Sequence, residues 1–191
     1  MDTEETRRQV RTLMDRAEIT DLLDRCLRSL DEGVIDEEWA RAFHTEDVTA
    51  EMPIGTVHGR DALTARVRRA MDLFDRTVHL STNTVVEVDG DRATARGAQL
   101  STHVLADGSG GVFVSAGHTE TELVRTAAGW RISASALRVA WTWGTPPRLP
   151  GDFAPARTDE DRAGAAHGSA DRDSVSGASV TRQGPVSRSS T

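Results

Sequence analysis

The 191-residue sequence contains no tyrosine, no lysine and a single cysteine, Cys26. Without tyrosine, no phenolic hydroxyl is available to a binding or catalytic site. One cysteine cannot form a disulfide within the chain, and Cys26 lies in an apolar helical stripe, so we interpret it as a small core residue. The sequence also lacks a long apolar run and a signal-peptide core. We therefore expect no membrane segment and a cytoplasmic location.

The motifs of common metal and nucleotide sites are missing as well. No HExxH, CxxC or His-x-His spacing occurs, which disfavours a bound metal. Neither GxGxxG in a strand–turn–helix context nor GxxxxGK[ST] is present, so we expect no nucleotide cofactor. The formal net charge is -7 and the arginines are scattered. This argues against a nucleic-acid partner, because phosphates need clustered positive charge.

Apolar residues at helical spacing predict three helices in the first half of the chain. They cover Thr3–Leu30, Asp36–Phe43 and Gly59–Phe74, with a short strand and a turn before the third. The apolar stripe of the first helix is predicted to begin early and to continue to its end. Its members are Val10, Leu13, Met14, Ala17, Ile19, Leu22, Leu23, Cys26, Leu27 and Leu30.

After Asp75 the hydrophobic period changes to two, which predicts four strands: Thr77–Val88, Arg92–Leu105, Val112–Arg125 and Trp130–Trp143. Helices followed by a strand meander indicate an α+β fold, a curved antiparallel sheet with helices on one face. Beyond Pro150 there are almost no large apolar residues to offset the entropy of ordering. We expect one domain over residues 1–148 and a disordered tail over 149–191, in which His167 has no chemical role.

Asp31 interrupts the pattern of the first helix. It extends the ridge formed by Leu23 and Leu27, where an apolar residue is expected. It also lies in the last turn, before Gly33, where the helix dipole disfavours negative charge. From the residues alone, Asp31 is either solvated by the following turn or placed there for chemistry.

His79 is the main candidate for acid–base chemistry. Strand alternation places Thr77, His79, Ser81 and Asn83 on one face, so His79 and Asn83 are expected to line one cavity. A histidine oriented by a carboxylate is an effective general base near neutral pH. The alternative is a structural histidine bonded to a neighbouring backbone group.

Two further histidines compete for a place beside it. His103 shares a face with Gln99 and Ser101, and the preceding residues on that face are small, which leaves room for a ligand. His118 lies on the opposite face of its strand from Thr119. If Thr119 faces the interior, His118 is on the outer surface. His44 and His58 flank a short strand and a turn, and we expect both at the surface.

Trp141 and Trp143 share one face of the last strand. Their rings suit the wall or mouth of a pocket for a flat ligand. The alternative is that they pack in the core or in a dimer interface.

Several local patterns together resemble the SnoaL-like family of the nuclear transport factor 2-like superfamily, which includes scytalone dehydratase, ketosteroid isomerase and polyketide cyclases. They are the LDEG helix end, the W..AF helix, the GRDAL helix start, VHLSTNTVVEVDGDRATA, ELVRTAAGWRIS and the terminal tryptophan strand. The resemblance covers about Ala17 to Gly144. It implies a cone-shaped barrel in which a curved, mostly antiparallel sheet wraps around the N-terminal helices and leaves a deep, mostly apolar pocket.

The resemblance also implies roles for individual residues. Asp31 and His79 match the facing acid and histidine of the dehydratase-like branch, and His103 is the preferred match for a second pocket histidine. With them, the residues expected to bind substrate are Asn83, Trp141, Trp143 and Thr119. Because relatives use pocket tyrosines, either Asn83, His103 or a tryptophan N–H stabilises the transition state here, or the chemistry differs.

The expected protein is a cofactor-independent dehydratase, isomerase or cyclase that acts by His/Asp general acid–base catalysis. Its substrate would be a small cyclic molecule, polyketide-like or terpenoid-like, from specialised metabolism such as antibiotic biosynthesis. The family resemblance further implies a homodimer formed through the outer face of the sheet. The alternatives are a non-catalytic small-molecule-binding module and an accessory subunit of a biosynthetic complex such as an oxygenase.

Overall fold

The structure, a computed structural model, describes residues 3–151 and 153. Its helices are α1 (Thr3–Asp31), α2 (Glu37–Phe43) and α3 (Arg60–Met71). Its strands are β1 (His44–Met52), β2 (Gly55–His58), β3 (Phe74–Asp89), β4 (Arg92–Leu105), β5 (Val112–Thr126) and β6 (Gly129–Gly144). The predicted α+β order of elements is confirmed.

The six strands form one curled sheet in the order β2-β1-β6-β5-β4-β3. All neighbours are antiparallel except β1 and β6, which are parallel. The sheet is not closed, because β2 and β3 are its two edges. Its concave face and the helices enclose the core, which includes Ile19, Leu22, Trp39, Phe43, Val48, Leu63, Leu123, Trp130 and Ile132.

The bend of the sheet follows from bulges and glycines at matching heights. The pairing of β3 with β4 shifts register between Thr82 and Val85, and that of β5 with β6 shifts after Ala116. A Cβ at Gly97 would press on Thr84, and one at Gly117 would overlap the carbonyl of the adjacent β6. The close backbone approach at Gly117 therefore requires glycine, whereas at Gly97 the neighbouring groups of Thr82 and Thr84 would have to move by a few tenths of an ångström.

The first half of α1 does not pack as its apolar spacing predicted. Ile19 is buried, but Val10, Leu13 and Met14 are about half exposed or more. With 29 residues, α1 is about 44 Å long, and within residues 3–151 and 153 the hydrophobic core includes no residue of its earlier turns. The first buried residue of α1 is Asp15, whose carboxylate lies 2.7 Å from the guanidinium of Arg125.

The third helix ends earlier than predicted. It stops at Met71, and Phe74 is the first residue of β3 instead of the last of the helix. The carbonyl of Leu73 accepts the backbone N–H of Ala106, so the chain is already paired beside β4 at this point. This brings the ring of Phe74 to His103, at 4.2 Å between centroids.

The end of the domain stays a prediction. Five residues beyond the predicted boundary at residue 148, Phe153 is buried beneath the guanidinium groups of Arg66 and Arg69, at 4.8 and 5.5 Å from its ring centroid. Residues 154–191, which form most of the predicted tail and include His167, lie outside the described residues. No helix within the described ranges combines the length and the hydropathy that a membrane crossing requires.

Candidate active site

Asp31 and His79 form a hydrogen-bonded pair where the end of α1 meets β3. His79 Nδ1 lies 2.6 Å from Asp31 Oδ1, and the backbone N–H of His79 donates to Oδ2 at 3.0 Å. The hydroxyl of Thr77 donates to Oδ1 at 2.7 Å. The His79 side chain is 6% exposed and that of Asp31 is 24% exposed. Since an ionised carboxylate only accepts, neutral His79 carries its proton on Nδ1 and has a free acceptor at Nε2.

The local fold explains why these groups meet. β3 is an edge strand, and Asp31 ends α1 beside it, so the carboxylate bonds to strand groups that no further strand covers. The C-terminal turn of a helix disfavours a carboxylate, and the three donors offset that cost. Partial burial raises the pKa of the Asp31 carboxyl. The hydrogen bonds from His79 and Thr77 outweigh burial and hold that pKa below its usual range.

His103 lies next to this pair on β4, opposite Thr77. Its ring sits between those of Phe74 and Phe113, at 4.2 and 5.9 Å, and meets the ring of His79 edge to face at 5.3 Å. Its Nδ1 is 3.3 Å from the carbonyl oxygen of Phe113 and therefore donates. Burial and the neighbouring His79 lower the pKa of His103 to about 4, so at neutral pH its Nε2 is an acceptor.

A groove of about 560 Å³ runs beside the pair, between α1 and the free edge of β3. Its lining is mixed: Leu27, Val78, Leu80 and Ser81 join the pair, and the charged residues are Asp24, Arg28 and Glu32. The groove therefore combines apolar side chains with a group of charged residues at the end of α1. Arg28 forms an ion pair with Glu32 at 2.9 Å. Because three carboxylates and only one guanidinium line the groove, its net charge is negative.

The structure does not bring Asn83 to this site, so the expectation that it shares a face with His79 is wrong. Asn83 lies in the bulge of β3, is exposed and has a φ of 46°. Its side-chain oxygen accepts the backbone N–H of Ala98 at 3.2 Å. Beyond the bulge, Thr84 and Val86 face inward, because one extra residue reverses the alternation.

Trp141 and Trp143 lie away from His79, so the placement of their rings at a pocket wall is also wrong. They pair with Ala116 and Val114 on the outer face of the sheet and are 53% and 66% exposed. The shift in register near Gly117 does not return them to the interior. The second interpretation, an interface, remains open for them.

Thr119 faces the interior and His118 is exposed on the outer face, so the two lie on opposite faces as the alternation predicted. The hydroxyl of Thr119 donates to the carbonyl of Gly97 at 3.4 Å. His79 on β3, Ser101 on β4 and Ser115 on β5 are in register across the sheet. Thr119 lies four residues beyond Ser115 on β5, which places it about 13 Å along the strand direction from the Asp31–His79 pair. It is thus not among the residues that contact Asp31 or His79.

His44 is buried against Trp39, with 4.9 Å between ring centroids, and the expectation of a surface position is wrong. Burial lowers its pKa to about 4. Its position at the start of β1, directly after α2, turns it into the core. His58 is exposed, as predicted.

Three residues of the site were not predicted from the sequence: Thr77, which donates to Asp31, and Phe74 and Phe113, whose rings enclose His103. Only Thr77 carried a usable signal, since it shares the alternating face of His79. Among the described residues, no three His, Cys, Asp or Glu side chains are grouped so that they could hold a metal ion.

Comparisons with known proteins agree with the fold. The sequence model of the SnoaL-like domain matches residues 11–136. The Kfla4162 protein of Kribbella flavida is 28% identical, with a TM-score of 0.63 over 69% of this chain and 95% of that one. A candidate scytalone dehydratase from Novosphingobium aromaticivorans is 22% identical, with a TM-score of 0.65 over 76% and 97%.

A hexachlorocyclohexane dehydrochlorinase, LinA type 2, is 21% identical, with a TM-score of 0.64 over 75% of this chain and 98% of that one. No curated protein matches the chain. From the family match over residues 11–136, the chain belongs to the SnoaL-like domain family.

Proposed function

We propose that this protein is a cofactor-independent lyase or isomerase in which His79 moves a proton and Asp31 orients it. The contact of 2.6 Å between His79 Nδ1 and Asp31 Oδ1 carries the proposal. It leaves Nε2 of His79 as a base that needs no metal or cofactor to act. General acid–base catalysis of this kind contributes roughly 10²–10⁴-fold in rate.

The proposed reaction is elimination of water from a β-hydroxy ketone. His79 Nε2 takes a proton from the carbon next to the carbonyl, and the electrons of the broken C–H bond form an enolate. The enolate then expels the β-hydroxyl, which receives the proton from His79 and leaves as water. Asp31 stays ionised and stabilises the imidazolium between these steps, since its pKa lies below its usual range.

The chain lacks the tyrosines that relatives use, so other donors must stabilise the enolate. Ser81 and Ser101 lie on the inner face beside His79, and Ser101 already accepts the amide of Gln99 at 2.9 Å. Their hydroxyls are the proposed donors to the developing oxyanion. His103, an acceptor at neutral pH, is proposed to bind a substrate hydroxyl.

The groove favours a neutral substrate. Asp24, Asp31 and Glu32 outnumber Arg28 along its lining, so a carboxylate or phosphate on the substrate would be repelled. A small oxygenated ring meets the requirement, in keeping with a polyketide-like or terpenoid-like molecule of specialised metabolism. The names of two structural neighbours also describe eliminations, of water and of hydrogen chloride.

We further propose that the protein is a homodimer through the outer sheet face. Trp141 and Trp143 are more than half exposed on that face. Exposed apolar patches of this kind mark contact surfaces in soluble proteins. A two-fold interface would bring the same patch of each copy together.

The test uses 3-hydroxycyclohexanone and 3-hydroxy-1-tetralone as probes, with product formation followed by ultraviolet absorbance. The protein should dehydrate at least one probe, and His79→Ala and Asp31→Asn should each lose roughly 10²-fold or more of that rate. His118→Ala is the matched control, because this exposed histidine lies on the outer face. If the two site variants retain the rate of the control, the proposed mechanism is wrong. Binding without turnover would favour the small-molecule-binding alternative.

A further inference from the structure

Asp31 is held entirely by donors from β3. Its Oδ1 accepts the Thr77 hydroxyl at 2.7 Å and His79 Nδ1 at 2.6 Å, and its Oδ2 accepts the His79 backbone N–H at 3.0 Å. A carboxylate has about four acceptor positions, so three of them are filled before any ligand binds. No other donor to this carboxylate occurs within residues 3–151 and 153.

Thr77 is the donor among these that does not belong to the proposed base. The other two donors are Nδ1 and the backbone N–H of His79 itself, and that N–H reaches only the far oxygen of Asp31. The Thr77 hydroxyl instead shares Oδ1 with His79 Nδ1. It therefore limits rotation of the carboxylate about its own axis, which would otherwise carry Oδ1 out of line with the imidazole.

Residue geometry on β3 makes this contact specific. Thr77 and His79 are two positions apart on the strand, so both side chains leave the same face toward α1. As a β-branched residue, threonine has a restricted χ1, which keeps the hydroxyl pointed at Asp31 at low entropic cost. Valine has the same shape without the donor, and serine has the donor without the methyl group.

We propose that Thr77 is a positioning residue of the dyad, whose hydroxyl locks Asp31 Oδ1 in line with His79 Nδ1 before substrate binds. His79 Nε2 then points in one fixed direction into the site. The role of His79 as the base rests on the proposed function, but the positioning itself is a property of the resting protein. It acts through Asp31 and needs no contact between Thr77 and substrate.

The test measures how fast the His79 Nδ1 proton exchanges with water, by NMR on the full chain labelled with ¹⁵N-histidine. Thr77→Val should speed this exchange about tenfold, since one hydrogen bond to a charged group is lost. Thr77→Ser keeps the hydroxyl, so its exchange rate should stay within about twofold of the wild-type rate. Thr82→Val is the matched control, because Thr82 is exposed on the same strand and forms no bond to Asp31.

Thr77→Ala is the second variant, and it should behave like Thr77→Val and unlike Thr77→Ser. If Thr77→Val and Thr77→Ala both exchange at the wild-type rate, or if Thr77→Ser exchanges as fast as they do, the positioning role is wrong. On a hydroxy ketone that the protein turns over, Thr77→Val should lower kcat about tenfold and leave KM within twofold. The exchange result does not depend on turnover, so failure of the proposed reaction is distinguishable from failure of this inference.

Discussion

Replacing Asp31 by asparagine should destabilise the fold as well as impair the proposed chemistry. In the wild type, the two oxygens of Asp31 accept three hydrogen bonds. In the variant, the asparagine oxygen can still accept from Thr77 and from His79 Nδ1. Its NH₂ group, however, then faces the His79 backbone N–H, and two donors cannot bond to each other. The substitution thus loses one hydrogen bond to a charged acceptor, which contributes about 1.5–3 kcal/mol when formed. With the Asp31 side chain 24% exposed, we expect about 2 kcal/mol at pH 7.

Urea unfolding followed by tryptophan fluorescence measures this loss. In a domain of this size, about 2 kcal/mol corresponds to a fall in Tm of roughly 4–8 °C. Asp24→Asn is the control, because Asp24 is exposed on the same helix, and it should change the free energy of unfolding by less than about 0.5 kcal/mol. An equal effect of both variants at pH 7 would refute the reasoning.

The loss should also depend on pH in a definite direction. Hydrogen bonds hold the pKa of Asp31 below its usual range in the folded protein, so the unfolded chain binds that proton more readily. The stability that the ionised carboxylate contributes is therefore complete above its ordinary pKa of about 3.9 and is lost as the pH falls through the lowered value. The difference between wild type and Asp31→Asn should shrink below about pH 4. A difference that persists undiminished in strong acid would contradict this account.

Three further predictions follow from the geometry. Because burial lowers the pKa of His103 to about 4, against about 6.5 when unfolded, an NMR titration should find it neutral at pH 5.5, and its contribution to stability should be lost as the pH falls from 6.5 to about 4. Replacing Trp141 and Trp143 together by serine should give a monomer in light scattering, whereas a dimer that persists would show that the interface lies elsewhere. Gly117→Ala should cost roughly 1–3 kcal/mol of stability, because its Cβ overlaps β6, whereas Gly151→Ala, with open space around it, should be neutral in thermal unfolding.

Local patterns singled out Asp31 and His79 individually, and the family resemblance implied that the two face each other. The helical ridge points Asp31 inward at the end of α1, and alternation along β3 is uninterrupted from Thr77 to His79. Asn83 could not be placed in the same way. A bulge lies between Thr82 and Val85, and a one-residue slip reverses every face beyond it.

Other misses share a different cause: spacing tells which residues share a face but not what covers that face. Val10, Leu13 and Met14 have helical spacing, yet no core element reaches them in the described part of the chain. The tryptophans of β6 share a face as predicted, but on the outer side of the curled sheet. Long-range packing decides both cases, and local periodicity carries no information about it.

The most direct test of the central claim is proton abstraction by His79 itself. A hydroxy ketone that the protein dehydrates, labelled with deuterium at the carbon next to the carbonyl, is incubated in H₂O, and the release of deuterium into the solvent is followed by ²H NMR. His79→Ala should slow this release roughly 10²-fold or more, and His118→Ala should leave it unchanged. Release at the wild-type rate in His79→Ala would contradict the assignment of His79 as the base.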